Sequence, residues 1–263
     1  MSTRLPQHPV IIERFDDEQA LSAALATRVL ALIVARPAVA LGLPTGRTPV
    51  GLYRELRQRS GGSLPRRSRE AKAGVDWSRV RTFNLDEFAG LEPAHSYSYR
   101  AFMQHELFDH VSIDPANVGF LNGAAPDLKA ECRRYEAAIA SAGGIDLQIL
   151  GIGANGHIGF NEPAEGLCAA THIAHLEEES RRANAQRFGG DWTAVPARAL
   201  SIGMATILGA QEIVLMATGA EKADAVHGMV EGLITTLLPA SLLQVHQRVT
   251  VMLDREAGAK LSG

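Results

Sequence analysis

Cysteine is nearly missing from this chain: Cys132 and Cys168 are the only two in 263 residues. They lie far apart, with neither metal-ligand spacing nor a disulfide framework, so two inert thiols in a reducing compartment are expected. Excess charge of either sign is also small, with a formal net charge of -3. The one basic cluster, PRRSRE at 65–70, is short, which leaves no field to hold a nucleic-acid backbone and excludes nucleic acid as an expected partner. No uninterrupted apolar run reaches the roughly 18 residues of a membrane span, and MSTRLPQHPVIIERF lacks the apolar centre of a signal peptide. A cytoplasmic protein with no membrane partner is the expectation. There is no internal repeat and no Pro- or Gly-rich linker, so residues 1–263 are expected to form a single domain.

What is present is ordinary globular composition, 46% hydrophobic and 21% charged, arranged as alternating helix and strand patterns. DEQALSAALATRVLALIVARP carries apolar residues at helical spacing. AVALGL follows as a buried strand, then the turn PTGRTP, then the amphipathic VGLYRELRQR. SGGSLPRRSREAKAG, residues 60–74, reads as an exposed loop. VRTFNLDEF is expected to be one strand, SYRAFMQHELFDHV and DLKAECRRYEAAIASAGG helices, and IDLQILGIG a third buried strand. A helix over roughly 196–209, the strand EIVLMATG, a helix from about Ala220 to Glu231 and the strand VTVMLD complete the chain. This order predicts an α/β fold, a doubly wound and mostly parallel sheet with helices on both faces, whose ligands sit beyond the carboxyl ends of the strands.

Three strand ends concentrate the chemistry. In PTGRTPVGLY, Thr48 is expected to cap a helix with Pro49 at its first position. Gly46 frees the backbone of Thr45 to Thr48 to aim amides at an anion, although a plain capped turn explains the same residues. The Walker ending is missing. In FNLDEF, strand alternation puts Asp86 and Glu87 on opposite faces, so at most one points into a pocket. A carboxylate there, near Phe83, Leu85 and Phe88, suits a base with a raised pKa, and a solvated acidic loop is the bland alternative.

GIGANGHIGFNEP, at 151–163, satisfies the dinucleotide pattern G-x-G-x-x-G. That pattern needs a helix at its third glycine, whereas Gly156 is followed by Gly159 and Pro163, so no nicotinamide cofactor is expected. The loop instead presents Asn155, His157 and Glu162, a histidine with a carboxylate to tune it for proton transfer. No second histidine stands at ligand spacing, so no metal is expected. Two cations complete the set, Arg187 in RANAQRFGG and Lys222 after MATGAEK. A lysine at a helix start opposes the dipole, which is most readily understood if an anion lies between it and the amides.

Together LGLPTGRTP, FNLDEF, SYSYRAFM, GIGANGHIGFNEP, RANAQRF, ATGAEKADAV and LPASLLQVH resemble, in order, the glucosamine-6-phosphate deaminase (glucosamine-6-phosphate isomerase) family, over about residues 10–255. The resemblance implies a three-layer α/β architecture with a Rossmann-like sheet. It also implies conversion of an amino sugar phosphate to fructose 6-phosphate and ammonia without metal or organic cofactor. It makes Asp86 the base that removes the C2 proton and returns a proton at C1. His157, with Glu162 and Asn155, would open the pyranose ring. The phosphate would be held by Thr45, Gly46, Arg47, Thr48, Arg187 and Lys222. The stretch from about 164 to 190 resembles the family's mobile lid, with Arg187 arriving as it closes.

This chain departs from the family in three places. Arg47 replaces a second glycine and reads either as an added phosphate donor or as a crowding of the turn. Position 155, aspartate in some members, is Asn155 here, so Glu162 is the charged partner of His157 and the amide orients. RANAQRF is one residue longer than the usual spacing around Arg187. A galactosamine-6-phosphate deaminase and a sugar-phosphate sensing module remain alternative functions. A sugar-phosphate lactonase shares the glycine-histidine loop but is not expected to carry FNEP or FNLDEF. A regulator also needs a DNA-binding segment, for which the stretch before Ala38 leaves no room beside its helix. Family members differ in oligomeric state, so a homo-oligomer stays open.

Overall fold

The computed structural model describes residues 10–61 and 74–262. The basic cluster at 65–70 and nearly all of the expected loop at 60–74 lie outside the described residues. In chain order the strands are β1 (Ile11–Arg14), β2 (Ala40–Leu43), β3 (Arg81–Asn84), β4 (Asp86–Phe88), β5 (Val118–Gly119), β6 (Leu147–Leu150), β7 (His172–His175), β8 (Arg198–Ser201), β9 (Ile213–Ala217) and β10 (Val249–Leu253). The α-helices are α1 (Glu18–Ala35), α2 (Val50–Arg59), α3 (Tyr99–Glu106), α4 (Leu128–Ser141), α5 (Glu178–Asn184), α6 (Met204–Leu208) and α7 (Ala223–Glu231).

Seven strands form one sheet in the order β1-β10-β9-β6-β2-β3-β5, and every pairing in it is parallel. Its strands β2, β6, β9 and β10 are mainly apolar and buried throughout, because both faces are covered. Along β9, Val214 and Met216 enter the core on one face, while Ile213, Leu215 and Ala217 enter the core on the other. The first core takes the buried stripe of α1, Leu21, Leu25, Val29 and Ile33. The second takes Tyr135 and Ile139 of α4 and Val226 and Met229 of α7. This is the expected single doubly wound, three-layer domain. From β2 the chain winds outward through β3 and β5, then returns to β6 on the other side of β2. The winding therefore reverses between β2 and β6, the place where open α/β sheets bind ligands.

By length and composition α1 is long and apolar enough to cross a membrane. Leu21, Leu25, Val29 and Ile33 of this helix are packed into the core.

The structure corrects four sequence expectations. VRTFNLDEF is not one strand: it breaks at Leu85, so that β3 ends in the large sheet and β4 enters a second, antiparallel sheet of order β4-β8-β7. The expected helix over 196–209 is half strand, because Arg198–Ser201 pairs with both β4 and β7 and only Met204–Leu208 is helical. Thr48 does not cap α2. Pro49 occupies the cap position without a side-chain bond, and Val50 N–H reaches back to the Arg47 carbonyl in a tighter first turn. The helix expected from Ala220 opens as a 3-10 turn over Ala220–Lys222, and α7 follows. Cys132 is buried, Cys168 exposed, and both are free.

Candidate active site

The C-terminal edge of the large sheet at its reversal carries three loops, and they enclose one cleft of about 820 Å³. The β2 loop contributes Thr45, Gly46, Arg47 and Thr48, the β6 loop Asn155 and His157, and β4 contributes Asp86. Arg187 and Lys222 line the same cleft. Of the residues expected from sequence, only Glu162 stands behind the wall, in contact with His157.

The break at Leu85 is what aims Asp86. Because β4 leaves the large sheet, Asp86 pairs with Ser201 in the small one. Ser201 Oγ also accepts the N–H of Phe160 at 3.0 Å, and the Asn161 amide donates to the Ile202 carbonyl at 2.9 Å. The histidine loop is thereby stapled to the end of β8, the neighbour in the small sheet of the strand that carries the carboxylate. A Cβ placed on Gly159 would lie 3.7 Å from Asp86 Oδ2, which shows how closely the two pieces meet. Thr45 Oγ1 donates to Asp86 Oδ1 at 3.2 Å, joining the β2 loop to the same group. Asp86 is 6% exposed. Burial pushes its carboxyl up to about 7, the Thr45 hydroxyl opposes that, and neighbouring Glu87 adds to it.

Glu87 faces the other way, as strand alternation requires. Its carboxylate accepts the N–H groups of Phe88 at 2.8 Å, Tyr99 at 2.9 Å and Arg100 at 2.9 Å. The last two are unpaired donors of the first turn of α3, whose cap Ser98 satisfies Ala101. One carboxylate of the adjacent pair faces the cleft and the other holds a helix.

The glycines of GIGANGHIGF serve the histidine. The His157 ring lies against Gly153, where a Cβ would stand 2.3 Å from ring atoms. His157 Nδ1 lies 3.4 Å from Glu162 Oε2, and the same oxygen accepts Asn155 Nδ2 at 3.1 Å. The Asn155 side-chain oxygen accepts the His157 N–H at 3.2 Å. Nδ1 is buried while the side chain keeps 25% of its surface accessible, so the ring's open edge is turned to the cleft. Burial acts to raise the Glu162 pKa, but His157, the Ser180 hydroxyl and the Asn155 amide together hold it below the usual carboxylate range. Asn155 thus orients, as its chemistry requires. No helix follows Gly156, which removes the dinucleotide reading.

The cations gather around the β2 loop. Gly46 adopts φ +90°, with open space where a Cβ would stand, a backbone conformation in which a side chain would be strained although there is room for one. Lys222 is half-buried, and its pKa is lowered by burial and by the charge of Arg47, with Glu221 opposing. Exposed Arg47 therefore adds its charge to the same spot as Lys222. Arg187 donates to the carbonyls of Tyr97 at 2.8 Å and Ser98 at 2.6 Å. Its guanidinium lies 5.4 Å from the Tyr99 ring centre and 4.9 Å from that of Phe102, and burial lowers its pKa.

Sequence reasoning missed Ser201, Ser180 and the Tyr99–Asn184 pair. Tyr99 lies in the quoted motif SYSYRAFM, and its hydroxyl donates to Asn184 Oδ1 at 2.8 Å. Nothing local marks Ser180 or Ser201, because both act through partners distant in sequence. Among the described residues no group of three or more His, Cys, Asp or Glu is placed to hold a metal.

Comparison with known proteins gives the family. Residues 16–252 match the family model described as glucosamine-6-phosphate isomerases/6-phosphogluconolactonase. The chain is 46% identical to glucosamine-6-phosphate deaminase 2 of Bacillus subtilis (strain 168) over 254 residues, covering 96% of each. It is 45% identical to the glucosamine-6-phosphate deaminase of Halothermothrix orenii over 252 residues, covering 96% of this chain and 99% of that one. It superposes with a TM-score of 0.87 on a solved monomeric glucosamine-6-phosphate deaminase, 39% identical, covering 95% of this chain and 99% of the other. The 6-phosphogluconolactonase of Trypanosoma cruzi, 19% identical with a TM-score of 0.75 over all of both chains, shares the fold alone. On this fold, these motifs and these relatives, the chain belongs to the glucosamine-6-phosphate deaminase family, within the wider group of glucosamine-6-phosphate isomerases and 6-phosphogluconolactonases.

Proposed function

We propose that the protein is a glucosamine-6-phosphate deaminase, converting glucosamine 6-phosphate and water to fructose 6-phosphate and ammonia by isomerisation and hydrolysis, without a cofactor. The observation that carries this reading is the single cleft in which a buried carboxylate, an imidazole, the Thr45 to Thr48 loop and a group of cations all meet. The amides and hydroxyls of Thr45 to Thr48, with Arg47, Arg187 and Lys222, grip the phosphate dianion; fixed donors of this kind outweigh the chain's overall negative charge. His157, held by Glu162 and Asn155, moves a proton from the C1 hydroxyl to the ring oxygen, which opens the pyranose to the aldehyde.

Asp86 then takes the C2 proton, leaving an enolamine across C1 and C2, and returns a proton to C1. The product of that step is an iminium at C2. Water adds to it, ammonia leaves, and the ketone of fructose 6-phosphate remains. A base that must later act as an acid works best with a pKa close to the working pH, and a carboxyl near 7 meets that demand. The segment at 164–190 closes over the bound sugar in this reading and carries Arg187 with it. A sugar phosphate does not cross a bilayer unaided, so the reaction belongs in the cytoplasm.

The test is a panel of hexosamine phosphates with coupled detection of ammonia and fructose 6-phosphate. One ammonia per fructose 6-phosphate from glucosamine 6-phosphate is expected, with a lower rate on galactosamine 6-phosphate. Folded protein that releases no ammonia from any of them defeats the reading.

A further inference from the structure

Glu162 is held by more than its own loop. While Oε2 serves His157 and Asn155, its other oxygen, Oε1, accepts the hydroxyl of Ser180, a residue of α5 only 2% exposed. One turn later on the same helix, Asn184 donates to the Ser180 carbonyl at 2.9 Å, and its Oδ1 accepts the Tyr99 hydroxyl at 2.8 Å. Arg187 sits over the Tyr99 ring, three residues beyond Asn184. Helix α5 therefore touches the histidine's carboxylate at one end and leads into the phosphate-side arginine at the other. A carboxylate in this partly buried place has a preferred orientation only while its acceptor positions are filled, and the Ser180 hydroxyl fixes the oxygen that His157 does not use.

We propose that Ser180 is a positioning residue for ring opening: its hydroxyl locks Glu162 in the rotamer that presents Oε2 to His157, and ties that carboxylate to the helix that leads into Arg187. The proposal rests on the deaminase reading, since it gives Ser180 a share in one step of that reaction. Ser180 lines the cleft, and the role assigned to it runs through Glu162, the carboxylate it bonds. Loss of its hydroxyl therefore slows turnover without weakening the phosphate grip, and the effect disappears once Glu162 is gone.

The experiment compares the wild-type chain with Ser180→Ala, Glu162→Ala and the double variant, reading kcat for ammonia release from glucosamine 6-phosphate and calorimetric binding of inorganic phosphate. Ser180→Ala should lower kcat about tenfold, the loss expected for one hydrogen bond to a charged group, with phosphate affinity within about twofold of wild type. Added to Glu162→Ala, the same change should alter kcat by less than about twofold. An equal fold-loss in both backgrounds overturns the proposal, as does a parallel loss of phosphate affinity, which marks a merely displaced segment. Absence of ammonia release from the wild-type chain is a separate result, and it overturns the deaminase reading itself.

Discussion

At the scale of the residue, the adjacent pair Asp86 and Glu87 shows how one covalent step along a strand separates chemistry from architecture. Asp86 is buried with a single hydroxyl donor, so its carboxyl rises to about 7. Glu87 is as deeply buried but accepts three backbone N–H groups. A carboxyl raised from 3.8 favours the fold in its protonated form. That contribution is complete below pH 3.8 and is lost as pH rises through about 7. Asp86→Asn should therefore match wild-type stability near pH 4 and exceed it at pH 8, by at most ~4 kcal/mol at ~1.4 kcal/mol per pH unit. Denaturant unfolding at the two pH values checks this, and an equal difference at both contradicts the burial argument. Turnover by the proposed route has the opposite need, because only an ionised Asp86 could accept the C2 proton. The kcat/KM profile should fall on the acid side with a midpoint near 7.

Gly153 makes a second prediction at this scale. An alanine there places its Cβ 2.3 Å from the His157 ring, which the ring must leave. Gly153→Ala should cost at least about tenfold in kcat, since misplacement of a catalytic group by about 1 Å costs as much or more, while the far-ultraviolet circular dichroism spectrum stays wild type.

At the scale of the element, Glu87 is worth a helix start. Glu87→Ala leaves the Tyr99 and Arg100 donors of α3 without a partner and should cost about 1–3 kcal/mol, read by urea unfolding. The same region shows what was legible beforehand. Strands β2, β6, β9 and β10 and helices α1 and α4 announce themselves, because each is a continuous apolar run or a clean helical period several residues long. The small sheet does not. Strands β4, β7 and β8 have only three or four residues each, β4 lies more than 80 residues of chain before the other two, and their pairing is a tertiary fact. Arg198–Ser201 reads as helix because it adjoins the apolar run of α6, and only its ladder to Asp86 and His172 makes it a strand. The site was more legible than the sheet that carries it. Asp86, Asn155, His157, Arg187 and Lys222 all line the cleft, because polar residues at apolar strand ends stand out. Ser201, Ser180 and Asn184 are common polar residues on common elements, and their partners lie 18 to 85 residues away.

At the scale of the whole molecule, the reversal of winding between β2 and β6 brings strand ends to one rim, where the proposed phosphate grip and the proposed proton-moving groups line one cleft. Any anion held by that grip binds the folded chain alone, so inorganic phosphate should raise the melting temperature. At a hundred times its Kd the stabilisation is about 2.7 kcal/mol. Lys222→Met should remove most of that rise while leaving the melting temperature without phosphate near wild type, as read by calorimetry.

The central claim is that grip and base are separate functions sharing one cleft, and Asp86→Asn tests it most directly. With glucosamine 6-phosphate as substrate and inorganic phosphate as the binding probe, the variant should lose ammonia release by at least about a thousandfold, as general-base loss implies, and bind phosphate within about twofold of wild type. Ammonia release close to the wild-type rate would contradict the account.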